Sequence, residues 1–205
     1  MQIHDTHALQ RPVYPAHLVR CWQLAGGRVL TVRPVQPEDE ELEQTFVRSL
    51  SARTRYYRFF NAVRELPPET LWQLTHVDYR RAMTLLAVVR EAGREIQVGV
   101  AQYVSDEATD ACDFALVVQD DWQGLGVGSL LMDALEQCAR AAGLRRLSGE
   151  VMAENQAMLR LARSRGFVAH LNPEDATLMR VGKILATTAA APSTMQSATR
   201  VPCSP

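Results

Sequence analysis

Between Asp120 and Leu135 the chain reads DDWQGLGVGSLLMDAL, with glycine at 124, 126 and 128. The apolar run FALVVQ precedes this stretch. After it, Val127, Leu130, Leu131, Ala134, Leu135, Cys138 and Ala142 recur at helical spacing until Gly143. The pattern predicts a strand, a tight turn, and an amphipathic helix over 126–142 closed by a C′ glycine. Glycine inside a helix costs about 1 kcal/mol relative to alanine, so three at one helix start need a compensating reason. A helix N-terminus leaves its first amides unpaired and carries partial positive charge. Glycine bares those amides and allows the positive φ of a sharp turn. The segment Gln123-Gly124-Leu125-Gly126-Val127-Gly128, with Ser129, is therefore suited to hold a phosphate or diphosphate on its backbone. Close packing of helix on sheet would explain one such glycine, but three alternating ones favour anion binding.

Two common phosphate-binding patterns do not fit. A P-loop requires Lys after the last glycine, and here Ser129 follows. A dinucleotide fingerprint needs a third glycine where Ser129 stands. Glu150 could imitate its ribose-binding acid, but a single further helix after the loop cannot complete a doubly wound sheet.

The rest of the chain reads as one α/β domain with a mixed sheet. RVLTVRPV (28–35) alternates like a strand, and PEDEELEQTFVRSL has the acidic start and spacing of a helix. ARTRYYRFF, with Ser51 as cap, and PPETLWQLTHV, with Pro68 in its first turn, predict two more helices. AMTLLAVVRE, IQVGVAQYVS and CDFALVVQ are successive strand-like runs. LRRLSGEV, NQAMLRLARSRGF and then FVAHL with TLMRVGKI add a strand, a helix and closing strands. Residues 1–20 read as an extended arm, 21–185 as the domain, and 186–205 as a disordered, proline-punctuated tail.

Composition excludes several classes. A net charge of -1 gives no general attraction to nucleic acid or anionic membrane. The basic, aromatic RTRYYRFF fits a helix with a buried aromatic face better than a base-stacking surface. Cys21, Cys112, Cys138 and Cys203 stand far apart without a C-x-x-C pair, which predicts buried free thiols rather than disulfides. The histidines lack ligand spacing, so no metal is expected. No run approaches the length of a membrane span and the N-terminus has no signal-like apolar region, which predicts a cytoplasmic protein.

The pattern [RQ]-x-x-G-x-[GA] at Gln123–Gly128, followed about thirty residues later by ENQAMLRLARSRGF, resembles the GNAT superfamily of acyl-CoA-dependent N-acyltransferases. The resemblance runs from about Val29 to Lys183. LTVRPVQPEDEE, SARTRYYRFF, LTHVDY and VVQDDWQGLGVG look more particularly like bacterial protein-lysine acetyltransferases, whose acyltransferase domain can be fused to others. The resemblance implies the GNAT fold: a mostly antiparallel sheet whose two central strands splay. It also implies acetyl-CoA as co-substrate. Leu116, Val117 and Val118 would pair with the pantetheine arm, an amide near Val118 would polarise the thioester carbonyl, and amides from Gln123 to Ser129 would bind the diphosphate. Asn155 would touch the cofactor arm, or serve only as a helix N-cap. Asp113 stands where protein-acetylating relatives carry a Glu base; a solvated strand-edge carboxylate is its other reading. Ala162 stands where many members place an acidic Tyr, and Tyr79 and Tyr103 are weak replacements. RTRYYRFF would also help wall the acceptor site, and His76 and Asp78 are candidates for the same cleft.

The expected function is acetyl transfer to a protein lysine, such as one on an acyl-CoA synthetase. A small amine or amino acid, or a non-catalytic acyl-CoA sensor, are the alternatives. The oligomeric state is open.

Overall fold

The computed structural model describes residues 12–24, 26–105, 109–185 and 198–203. They build one sheet with strands β1 (Arg20–Gln23), β2 (Val29–Pro34), β3 (Ala82–Glu91), β4 (Arg94–Ser105), β5 (Ala111–Val118), β6 (Arg146–Met152), β7 (Val168–Leu171), β8 (Leu178–Ile184) and β9 (Thr199–Val201). Their spatial order is β7-β8-β6-β5-β4-β3-β2-β1-β9. Every neighbouring pair is antiparallel except β5 with β6. This is the mixed, mostly antiparallel sheet that the sequence leads one to expect.

Five helices flank it: α1 (Glu40–Ser49), α2 (Ala52–Phe59), α3 (Pro68–Thr75), α4 (Val127–Ala141) and α5 (Gln156–Ser164). β3 is buried over seven consecutive residues because both its faces are covered, which is why it reads as an unbroken apolar run. On one face, Leu131, Leu135 and Val127 of α4 and Leu159 of α5 pack with Leu30, Leu85 and Tyr103. On the other, Phe46 and Val47 of α1 and Leu71 of α3 pack with Leu86, Val88, Val100 and Val117. Local signals set the helix ends. The Ser51 hydroxyl accepts the Thr54 amide at 3.2 Å, Pro68 lies in the first turn of α3, and Gly143 follows α4 at φ 84°.

The structure corrects the reading of both ends. β1 and β9 were not anticipated, and β9 lies within the tail expected to be disordered. It pairs with β1 through Cys21↔Val201, Trp22↔Arg200 and Gln23↔Thr199. Cys21 and Cys203 form a disulfide with Cα atoms 5.3 Å apart, so only Cys112 and Cys138 are free, buried thiols among the described residues. Burial pushes both thiols up to about 12. A 3-10 turn at Ala16–Leu18 interrupts the expected arm. Residues 1–11 and 186–197 of the two expected terminal segments lie outside the described residues.

Candidate active site

β5 and β6 run side by side for only three residue pairs, Ala111↔Arg146, Cys112↔Leu147 and Asp113↔Ser148, and then separate. Gly149 sits at the fork. A Cβ there would lie 2.8 Å from the Phe114 carbonyl oxygen, so only glycine permits the close approach at which the strands part. Beyond it a cavity of about 500 Å³ opens.

The free edge of β5 follows from its register with β4. The Gln119 amide donates to the Val98 carbonyl at 2.9 Å. Strand alternation then turns the odd residues of β5 toward β4 and the backbone of Phe114, Leu116 and Val118 toward the fork. Of the three residues expected at this edge, Leu116 and Val118 turn their backbone away from β4. Val117 is the exception: it pairs with Val100, and its side chain packs in the α1–α3 core. The Val118 carbonyl already accepts Gln123 Nε2 at 3.0 Å, leaving its amide as the polar group aimed at the fork.

Gly124 and Gly126 take φ of 74° and 89°, conformations that disfavour any side chain. Gly126 is the N-cap of α4, and its carbonyl accepts the Ser129 and Leu130 amides at 3.0 and 3.1 Å. The Gln123 amide donates to the Asp120 carbonyl at 3.2 Å. Gln123 and Ser129 therefore spend their amides internally, and Gly124, Leu125, Gly126, Val127 and Gly128 hold the ones ahead of the helical ladder. Gly128 has a different reason for being small. A Cβ there would meet Leu161 at 3.1 Å and Val118 at 3.6 Å, so it serves packing of α4 against α5 and β5.

On the opposite face, Asp113 borders the cavity and accepts the Ser148 hydroxyl at 2.7 Å. Ser148, Glu150 and Arg180 share the wall with Tyr57 and Arg58 of α2 and with its C-cap, Phe60. Sequence reasoning weighed Glu150 only as a mimic of a ribose-binding acid and allowed the RTRYYRFF segment as a wall of the acceptor site without choosing a residue; Ser148 and Arg180 went unnoticed. It read α2 as a helix with a buried aromatic face, but Thr54 is its one buried residue, and Tyr56 and Phe60 are exposed. Asn155 caps α5 by accepting the Met158 amide at 3.1 Å, and it also borders the cavity.

The remaining candidates lie elsewhere. His76 stacks on Trp72 with centroids 4.7 Å apart, and Asp78 accepts the amides of Arg80, Arg81 and Ala82. The hydroxyls of Tyr79 and Tyr103 donate to the Val35 and Arg80 carbonyls at 2.9 and 3.1 Å. Burial pushes the Tyr103 hydroxyl well above its ordinary value. Ala162 is fully buried in α5. Among the described residues no cluster of three His, Cys, Asp or Glu side chains could hold a metal, and no helix is long and apolar enough to cross a membrane.

The sequence and the fold both match known proteins. The model of the Acetyltransferase (GNAT) family matches residues 46–167. Acetyltransferase PA5475 of Pseudomonas aeruginosa is 37% identical over 154 residues, which is 75% of this chain and 83% of that protein. Acetyltransferase Pat of Mycolicibacterium smegmatis is 34% identical over 141 residues, or 68% of this chain; the match spans 41% of that longer protein. Among solved structures, the GNAT domain of S. lividans PAT superposes with a TM-score of 0.76 at 28% identity, covering 84% of this chain and all of that domain. The chain belongs to the GNAT family of acetyltransferases. Members of this family use acetyl-CoA as co-substrate.

Proposed function

We propose that the protein transfers the acetyl group of acetyl-CoA to a protein lysine ε-amine by direct attack. The observation that carries this reading is the fork: a free strand edge ends in the Val118 amide, with unpaired amides of 124–128 at one side and Asp113 on the other face. The pantetheine arm lies along Leu116 and Val118, the diphosphate takes the glycine amides, and the Val118 amide stabilises the oxyanion of the attacked carbonyl. Asn155 meets the arm from the head of α5.

A lysine of pKa about 10.4 is almost wholly protonated at neutral pH and cannot attack until it loses a proton. Asp113 accepts that proton, directly or through a water, and the Ser148 hydroxyl holds the carboxylate in place. The nitrogen then bonds to the carbonyl carbon, and the C–S bond breaks. The thiolate of CoA leaves and takes its proton from solvent or from the acceptor, since Ala162 supplies none.

The likeness to Acetyltransferase Pat and to the PAT domain supports a protein acceptor, for which a lysine of an acyl-CoA synthetase is our first candidate. We place the reaction in the cytoplasm. Transfer of radiolabelled acetyl groups to cell protein, to purified acyl-CoA synthetases and to a panel of small amines tests the reading. Label on protein supports it, and label only on small amines replaces the acceptor. No transfer to anything ends it.

A further inference from the structure

The wall of the cavity carries two guanidinium groups and two carboxylates that are differently engaged. Arg180 lies 3.6 Å from Glu150 and 3.9 Å from Glu174, so its charge is already shared. Glu150 has Arg180 and the Asn172 amide, at 2.9 Å, as partners. Among the described residues Asp113 has only the neutral Ser148 hydroxyl as a hydrogen-bond partner.

Arg58 has less. Among the described residues its guanidinium makes no hydrogen bond and no ion pair; it lies over the face of Phe59, 4.9 Å from the ring centroid. The charge nearest in influence is Glu43, a buried carboxylate that accepts Gln97 Nε2 at 2.6 Å and does not reach Arg58. Enclosure pushes the Arg58 pKa down and Glu43 pulls it the other way, yet a guanidinium keeps its charge through such a shift. Arg58 is half-buried at the cavity wall, and a partly desolvated cation gains from an anionic partner.

The cavity thus presents one carboxylate without an ion-pair partner, the exposed Asp113, and one guanidinium without one, the half-buried Arg58. An acceptor that fits both carries an amine and a carboxylate. We propose that Arg58 binds a carboxylate borne by the acceptor, so that the enzyme selects amines with an acidic group close by. The planar fork of a guanidinium suits a carboxylate, which it binds in bidentate fashion. Two sources offer this chemistry: an Asp or Glu beside the modified lysine of a protein, or the α-carboxylate of a free amino acid. The inference rests on the acetyltransferase reading above and names the acceptor class that this reading leaves open.

Calorimetry in the presence of CoA separates the two claims because it requires no turnover. Matched acceptors are a Glu-Lys against a Gln-Lys peptide, and a free amino acid against its carboxamide. In at least one pair the acid should bind about 10- to 100-fold more tightly, the range of one charge-assisted contact. Arg58→Gln should bring that pair to near parity, and Arg58→Lys should keep part of the preference. The peptide pair points to a protein acceptor and the amino-acid pair to a small one. Equal binding of acid and amide by the wild type, or a preference that survives Arg58→Gln, overturns the proposal. If Arg58→Gln does not fold, judged by acetyl-CoA binding, Arg58→Lys decides: a weakened preference supports the assignment and an unchanged one rejects it. A clear preference without acetyl transfer would refute the catalytic reading alone, and transfer without preference would refute this one alone.

Discussion

Ser51 and Asp120, 69 residues apart in sequence, are joined by two hydrogen bonds: the Ser51 amide donates to Asp120 at 2.9 Å and its hydroxyl donates at 2.7 Å. The Thr54 hydroxyl adds a third at 2.7 Å. Asp120 opens the turn that leads to the glycines, and Ser51 caps the helix that carries Tyr57 and Arg58 and ends at Phe60. One carboxylate therefore ties the proposed acceptor wall to the expected cofactor turn.

That link is pH-dependent in a definite direction. Partial burial alone would raise the Asp120 pKa, but the Ser51 amide, the Ser51 hydroxyl and the Thr54 hydroxyl outweigh it and hold the group below its ordinary 3.8. With a depressed folded pKa, its stabilisation is full above about 3.8 and is lost as pH falls through the lower folded value. Asp120→Asn should cost about 1 kcal/mol at neutral pH, discounted because the carboxylate is exposed. It should also remove part of the acid limb of the stability curve. Thermal melts from pH 2 to 7 check this. An unchanged acid limb with unchanged acceptor KM would show that the link is ornamental.

Asp113→Asn keeps the shape of the side chain and its hydrogen bond from Ser148 while removing the base. Turnover should fall about 10²- to 10⁴-fold with acetyl-CoA affinity unchanged. Steady-state kinetics together with calorimetry read both quantities. Full activity would return Asp113 to the role of a solvated strand-edge carboxylate.

Gly149→Ala should damage the fork, because its new methyl would stand 2.8 Å from the backbone oxygen of Phe114. A cost of about 1–3 kcal/mol is expected for such overpacking, together with weaker acetyl-CoA binding. Gly182→Ala is the control, since its methyl would meet the Leu147 oxygen at a comfortable 4.0 Å. Equal behaviour of the two variants in melts and binding would mean that Gly149 does not set the strand separation.

The fold was legible in the sequence where a local signal reported it. Apolar periodicity gave the helices, the glycines at 124 and 126 marked the turn, and Pro68 and Ser51 marked helix starts. The splay of β5 from β6 came only from family resemblance, because strand separation is decided by which backbones meet. The tight contact of Gly149 with Phe114 has no local signature. Arg58 was read only as part of a helix with a buried aromatic face, since spacing cannot show which face of α2 overlies a cavity. The Cys21–Cys203 pairing spans 182 residues and left no trace in cysteine spacing. β1 and β9, of four and three residues, are too short for alternation to register.

The disulfide offers a test of how separable the two ends of the sheet are. It fastens β9 to β1, and β2, β3 and β4 stand between them and the fork. Cys203→Ser, or reduction, should lower stability by about 2–4 kcal/mol and leave acetyl-CoA binding intact. Denaturant melts with and without reductant measure the first, and calorimetry measures the second. Loss of binding on reduction would show that the sheet transmits the change to the site.

The most direct test compares acetyl-CoA with S-acetylpantetheine, which carries the same thioester and arm but no diphosphate, by calorimetry on the wild-type chain. Binding to the bare amides of 124–128 predicts a single site for acetyl-CoA and an affinity for S-acetylpantetheine at least about 100-fold lower, the worth of two charge-assisted hydrogen bonds. Equal affinities, or no uptake of acetyl-CoA, would contradict the assignment of the glycine turn as the diphosphate cradle.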